Sequence, residues 1–336
     1  MRPLVRRCLA AAGALLFVAG NGTASARDAA GDGAGGGPAF PARVVKIVVP
    51  YTAGGATDAV ARSLANRLGA VWKQPVVVEN RGGASGMIGV DYVAKAAPDG
   101  YTLVLSDSAP FVILPALYPR MSYSPKRDFA PITIVARQIP ILAVSTRVPA
   151  KTVGEFLAYL KTHPDTAYGS LGAGSYPHVA MEQFLQRSGA RMLHVPYKGT
   201  SQVVTDIIGG QVSAYIGTLG AFETYEKAGK VRILAVATDK RVDFRPDLPT
   251  VAESGVPGFS VNTWFGLAAP KDTPPAVLDK IHRDVSALLQ EKAFIDQALT
   301  PQSLLPGGDA RHDFGAMIET DTARWADAVR RAGIKL

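Results

Sequence analysis

The sequence predicts an α/β protein organised on a mainly parallel sheet, with its ligand site at the carboxyl ends of the strands. Three observations carry this expectation. Short β-branched runs alternate with helical periodicity three times in the first third of the chain. The strand-to-helix passages at 54–55, 82–83 and 172–174 are glycine-rich. A chain of 336 residues, 47% of them hydrophobic, can bury a core large enough for two domains.

The opening unit sets the pattern. Val44, Val45, Ile47, Val48 and Val49 read as a buried parallel strand. Gly54 and Gly55 turn the chain, Thr57 or Asp58 is expected to cap the next helix, and Val60, Leu64, Leu68 and Val71 recur at helical spacing. Free N–H groups at such a helix start suit a small anion, although a tight turn without a ligand fits these residues equally well. Val76, Val77 and Val78 form the next strand, a helix is expected over 88–97, and Pro98-Asp99-Gly100 turns into a third strand over 101–105. This order calls for βαβ units.

Farther along, apolar strands at 132–135 and 141–144 flank Arg137-Gln138-Ile139-Pro140, the expected first crossing between lobes. A helix opens at Lys151-Thr152-Val153 and is ended by Pro164. Residues 168–175 form a second glycine-rich turn, and Pro177 suits the first turn of a helix whose inner face is Met181, Phe184, Leu185 and Ser188. A strand at 193–195 leads through residues 196–201 into a helix carrying Val203, Val204, Ile207 and Ile208. The return crossing is expected near residues 262–266, before a strand at 267–269. Helices at 275–290 and 309–332 then pack back on the first lobe through residues such as Leu278, Ile281, Phe314 and Trp325.

Residues 1–26 read as a secretory signal peptide: Arg2, Arg6 and Arg7 precede an apolar run, and Ala24-Ser25-Ala26 is a small-residue cleavage pattern. The run is too short to span a membrane. Cys8, the one cysteine, lies before most of that run, which argues against a lipoprotein anchor. The expected location is the periplasm, with residues 27–39 a disordered leader of Gly, Ala and Asp. Removing the three arginines leaves 33 basic against 28 acidic residues, so the formal charge falls from +8 to +5. The charges are interspersed and no Lys/Arg block marks a nucleic-acid surface.

The segments VVPYTAGGATD, QPVVVENRGGASGMIG and AAPDGYTLVLS, followed by DFAPITIVA, HVPYKGTSQVVTDIIGGQV, DLPTVAESGVPGF and WFGLAAPKDTPPAVLDKI, resemble the Bug family of extracytoplasmic solute receptors. The likeness runs from about Phe40 to the C-terminus. It implies a type II periplasmic binding protein: two α/β lobes, a ligand cleft and two crossover segments. Lobe 1 is expected over 40–138 plus 262–336 and lobe 2 over 139–261. It further implies a monomeric receptor for a small carboxylate, working with the permease subunits of a tripartite tricarboxylate-type transporter, with no cofactor. The turns that match place the expected contacts at Tyr51, Thr52, Gly54, Gly55, Thr57 and Asp58, at Ser106 and Asp107, and at Gly172, Gly174 and Ser175. Tyr197, Lys198, Gly199, Thr218 and Trp264 complete the set.

Bland readings stand beside these. Asp58 can be a helix cap, Trp264 a hinge filler, and Lys198 a positioning residue in its turn. The histidines at 163, 178, 194, 282 and 312 lack metal-ligand spacing. Neither Ser85 nor Ser175 sits in a nucleophile elbow. An exported hydrolase would need a nucleophile, base and orienter that the sequence does not group. A receptor docking on a histidine-kinase ectodomain would use the same binding physics as a transport receptor. The chain also departs from its relatives: Phe111 and Leu114 replace polar residues, and Gly217-Thr218 stands where an aspartate-asparagine pair is common. That loss disfavours an ammonium-bearing solute, unless Asp107 restores an acceptor. The expected solute is a di- or tricarboxylate or an aromatic carboxylate.

Overall fold

Two mixed sheets, each covered by helices, place the carboxyl ends of their parallel strands against one another. The computed structural model describes residues 40–334; the expected signal peptide and leader lie outside the described residues. The strands are β1 (Val45–Val49), β2 (Val76–Asn80), β3 (Thr102–Asp107), β4 (Phe129–Arg137), β5 (Pro140–Ser145), β6 (Ala167–Ser170), β7 (Leu193–Pro196), β8 (Ala214–Thr218), β9 (Val231–Val236), β10 (Trp264–Pro270) and β11 (Leu305–Pro306). The first sheet runs β11-β4-β10-β3-β1-β2 and the second β7-β6-β8-β5-β9.

Parallel pairing is confined to the βαβ units. β1 pairs in parallel with β2 and β3, and β6 with β7 and β8. The strands next to the crossings are antiparallel: β10 against β3 and β4, and β5 against β8 and β9. The expectation of a mainly parallel sheet therefore needs correcting. A chain that leaves one sheet and returns to it later runs back against its neighbours. β9 carries the apolar run VRILAV, which sequence reasoning passed over.

The crossings lie side by side. The first is only Gln138 and Ile139, between β4 and β5. The second returns over residues 237–263, and its end is fastened to the first: Gln138 donates its backbone N–H to the Thr263 carbonyl (3.1 Å) and its amide Nε2 to Thr263 Oγ1 (3.0 Å). Ser108 Oγ lies 3.1 Å from the same hydroxyl. Buried polar groups that satisfy each other in this way fix where the two segments meet.

The helices form where the sequence period requires. Helix Ala56–Trp72 buries Val60, Ala61, Leu64, Ala65 and Leu68 against β1 and β3, leaving Arg62 and Arg67 outside. In helix Val153–Thr162, Thr152 accepts the Glu155 N–H (3.1 Å) while Glu155 accepts the Lys151 N–H (2.7 Å), a reciprocal arrangement that satisfies donors at the helix start. Helix Arg311–Arg331 seats Phe314, Ile318, Trp325 and Val329 in the first core and also touches helix Tyr176–Ser188. Among the described residues no helix is long and apolar enough to cross a membrane.

Candidate functional site

The first glycine turn is braced by a carboxylate. After β1 the chain passes Tyr51 and Thr52 and enters Gly54, whose φ of +91° favours glycine. Gly55, in extended backbone, is the residue before helix Ala56–Trp72, so the cap is neither Thr57 nor Asp58. Asp58 instead stands in the first helical turn and reaches back four residues. Its Oδ2 accepts the Gly54 N–H (2.9 Å) and Arg62 Nε (3.0 Å), and its Oδ1 accepts Asn80 Nδ2 (2.9 Å). Burial works to raise this carboxyl, but Arg62, the Gly54 N–H and Asn80 together outweigh it and hold it below the usual range. With both oxygens engaged, Asp58 positions the turn rather than meeting a ligand. Thr57 is buried beside it.

The floor of this lobe is a tyrosine-carboxyl pair. Tyr51 donates its hydroxyl to Asp107 Oδ1 (2.7 Å), and the Ala109 N–H donates to the same oxygen (2.9 Å). Oδ2 accepts no hydrogen bond among the described residues, and no Lys, Arg or His there pairs with Asp107. Burial raises the Asp107 carboxyl to about 6, against the lowering effect of Tyr51 and the Ala109 N–H. Ser106, fully buried, leaves Oγ without a partner among the described residues. Gly86 makes room for Tyr51: a Cβ there would fall 3.0 Å from the phenol oxygen.

The second glycine turn is braced by an imidazole. Gly172 and Gly174 both have positive φ, +98° and +78°. Ser175 donates its hydroxyl to the Gly172 carbonyl (2.6 Å), and the Gly172 N–H donates to Ser170 Oγ (3.0 Å). The Gly174 N–H donates to His178 Nδ1 (3.2 Å), four residues on, which requires that nitrogen to be unprotonated. His178 stacks on His194 at 4.1 Å, and His194 Nε2 lies 2.6 Å from Ser170 Oγ. Burial, assisted by His194, lowers His178 to about 4. Helix Tyr176–Ser188 starts here, and Pro177 supplies no N–H.

The remaining expected contacts divide. Gly199 precedes helix Thr200–Gly209 and Thr218 precedes helix Leu219–Lys227, so both stand at helix starts in lobe 2. Tyr197 turns its hydroxyl to Asp206 Oδ2 (2.7 Å), and its ring packs beside Gly169, where a Cβ would fall 3.4 Å from the ring. It supports the turn from behind. Lys198 is exposed. Trp264 has no exposure: its indole N–H donates to Asp321 Oδ2 (2.9 Å), and its ring packs on Phe314 and Phe111. It fills the core beneath the hinge and faces no cleft.

Ser303, which donates to Glu223 Oε2 (2.8 Å), joins the lobes away from the glycine turns, and a second contact joins the turns themselves. Ser85 Oγ, in the turn after β2, approaches the Ala173 carbonyl of the second glycine turn at 3.4 Å. Ala84 and Ser85 both have φ near +50°, a left-handed conformation that costs energy outside glycine. Sequence reasoning missed Tyr176 and Tyr215, which come from lobe 2. Both are buried in the core, burial is the main reason both phenols sit above their usual range, and the Asp107 charge adds to each. Tyr215 explains Gly217: a Cβ on Gly217 would lie 1.9 Å from the Tyr215 ring, so the ring occupies the space a side chain would take. The glycine itself was the signal, since a strand glycine marks a close approach.

The profile of the tripartite tricarboxylate transporter family receptors matches residues 60–334. BugT of Bordetella pertussis is 36% identical over 299 residues, 88% of this chain and 91% of BugT. Rpa4515 of R. palustris, solved with adipate, superposes with a TM-score of 0.83 at 35% identity, covering 88% of this chain and 99% of that one. MatC of Rhodopseudomonas palustris, solved with bound malate, gives 0.78 at 30% identity, covering 86% and 100%.

Proposed function

From the premise that this chain belongs to the tripartite tricarboxylate transporter receptor family, we propose that it captures a small carboxylate between its lobes and delivers it to the membrane permease of such a transporter. The family is one of solute-binding receptors, with periplasmic binding proteins among its solved members. In this reading residues 1–26 are a cleaved export signal, the mature protein works in the periplasm as a monomer, and it catalyses no reaction. Residues 40–138 with 262–336 move as one lobe and 139–261 as the other.

The observation that carries the reading is the Ser85–Ala173 approach, which puts the glycine turns of both lobes on one cleft. At each turn one glycine N–H is taken by a bracing side chain, Asp58 or His178, and the next helix begins immediately beyond. In this reading the Ala56 and Thr57 N–H groups on one side and the Tyr176 N–H on the other, none with a hydrogen-bond acceptor among the described residues, bond the carboxylate, each with a positive helix end behind it. A ligand bonded from both lobes favours the closed arrangement by the free energy of its contacts to the second lobe. Closure is then what the permease reads. The paired crossings at Gln138 and Thr263 supply the hinge.

A thermal-shift and calorimetry screen of ligand-stripped protein against mono-, di- and tricarboxylates, aromatic acids and amino acids tests this. A solute at a hundred times its Kd stabilises the fold by about 2.7 kcal/mol. The methyl ester of each hit should lose the shift. Hits that bind equally well as esters would overturn the carboxylate reading, and undiminished uptake in cells lacking the chain would overturn the transport role.

A further inference from the structure

Asp107 is a carboxyl group without a counter-ion at the meeting point of the two lobes. Its Oδ1 takes both hydrogen bonds available to it, from Tyr51 and the Ala109 N–H, and its Oδ2 takes none among the described residues. A charged group removed from water is held by a cation, a proton or several donors. Here one oxygen is provided for and the other is left. The residue retains partial solvent access, so this oxygen is not simply sealed in the core. Tyr51, which bonds Asp107, packs against Gly86, the residue after the Ser85 that approaches Ala173 of the second lobe; the Asp107 charge also raises the buried phenols of Tyr176, Tyr215 and Tyr123. The one side chain bonded to Asp107 is the Tyr51 phenol, and burial holds the surrounding phenols neutral.

We propose that Asp107 is a specificity residue that reads the end of the solute remote from its bound carboxylate and requires a hydrogen-bond donor there: a hydroxyl, amide or ammonium group. This rests on the carboxylate reading above and narrows it. A solute whose far end is a second ionised carboxylate brings like charge to Asp107, with no cation between them. One whose far end carries N–H or O–H supplies the donor that Oδ2 lacks. The ordinary role of such an aspartate is to cap the turn at Ala109, and Oδ1 alone does that. The inference rests on the other oxygen. It also departs from the di- or tricarboxylate that the sequence by itself favours, because the loss of an acid at Gly217-Thr218 is made good at Asp107.

The test is calorimetry at pH 8 with chain-matched probes: succinate against succinamate, 4-hydroxybutyrate and 4-aminobutyrate, and adipate against the corresponding six-carbon acids. At least one donor-ended acid should bind tenfold or more tighter than the diacid of its length. Asp107→Asn keeps an oxygen for Tyr51 and the Ala109 N–H but removes the charge, and should shrink that preference to threefold or less. The wild-type comparison stands even if the variant fails to fold. Diacids that bind the wild-type protein as tightly as their donor-ended partners would overturn the inference and leave the carboxylate reading intact. The same holds for a preference unchanged in a folded Asp107→Asn protein. If none of these probes binds while another carboxylate of the wider screen does, the inference falls and the carboxylate reading stands; if no carboxylate binds at all, both fall.

Discussion

The two glycine turns that face each other solve one problem with different chemistry. In each, a residue in the first turn of the helix reaches back four positions and accepts a glycine N–H: Asp58 for Gly54, and His178 for Gly174. The Asp58 brace is ionic, backed by Arg62 and Asn80. The His178 brace is neutral, backed by the stacked His194 and by Ser170. The comparison teaches that a turn meant to receive an anion can be stiffened without presenting charge, provided the acceptor is buried deeply enough to stay unprotonated. In lobe 1 the bracing carboxylate, Asp58, is kept harmless to an anionic ligand by saturation.

Removing the ionic brace should have the largest effect. Asp58→Ala removes the buried carboxylate shared by the Gly54 N–H, the Asn80 amide and the half-exposed Arg62, at a cost of about 1–3 kcal/mol. Urea unfolding measures it, and carboxylate affinity should fall with it as the turn loosens. A loss below about 0.5 kcal/mol would show that the turn holds its shape unaided. The neutral brace should matter less: His178→Phe keeps a ring against His194 but removes the acceptor, at about 1–2 kcal/mol near pH 7.

Acid separates the braces further. The His178 pKa falls from 6.5 to about 4 on folding, so the unfolded chain binds the extra proton first, and stability is lost as pH falls from 6.5 towards 4. Asp107 runs the other way. Its pKa rises from 3.8 to about 6, so the folded state pays for its charge above pH 6 and recovers stability as pH falls from 6 towards 4. Each contribution is about 1–3 kcal/mol, and they oppose one another across the same window. His178→Phe should therefore lose less, relative to wild type, at pH 4.5 than at pH 7. Asp107→Asn should stabilise the protein at pH 8 and cease to do so near pH 4. Denaturation at several pH values reads both slopes, and parallel profiles for all three proteins would refute the assignment. The ionic brace fails only below about pH 3.8, because Asp58 is lowered.

Much of this was legible in the sequence. The period changes around residues 48–68 placed β1, the turn and the helix within a residue or two, because apolar spacing is what folding reads. The glycines marked both turns, since positive φ excludes most other residues. What the residues by themselves could not give was direction. Asp58 and Trp264 occur in the matching segments, yet one points back into its own turn and the other into the core, and nothing in a local pattern distinguishes these from a cleft-facing pose. Tyr176 and Tyr215 were missed for the converse reason: a tyrosine at a helix start or in a strand reads as core until the opposite lobe is in place. β9 was passed over although Gly229, in a positive-φ turn two residues before it, punctuates its start, and its apolar run carries the β-branched residues Val231, Ile233 and Val236.

The smallest effect should come from the outer half of the ionic brace. Arg62 is half exposed, and its guanidinium bonds Asp58 through Nε and Asn80 Oδ1 through Nη2 (2.9 Å). Arg62→Met keeps the aliphatic stem over the helix and removes only the charge. Asp58 would retain the Gly54 N–H and the Asn80 amide, so the turn should persist and the loss of stability should be the smallest of the series, as for other exposed pairs. The carboxylate would lose a lowering partner and its pKa should rise, which brings acid unfolding to a higher pH. This outcome would place the bracing in the backbone and amide bonds. A loss as large as that of Asp58→Ala would instead make the guanidinium the element that holds the turn, and lobe 1 would then depend on charge in a way lobe 2 does not.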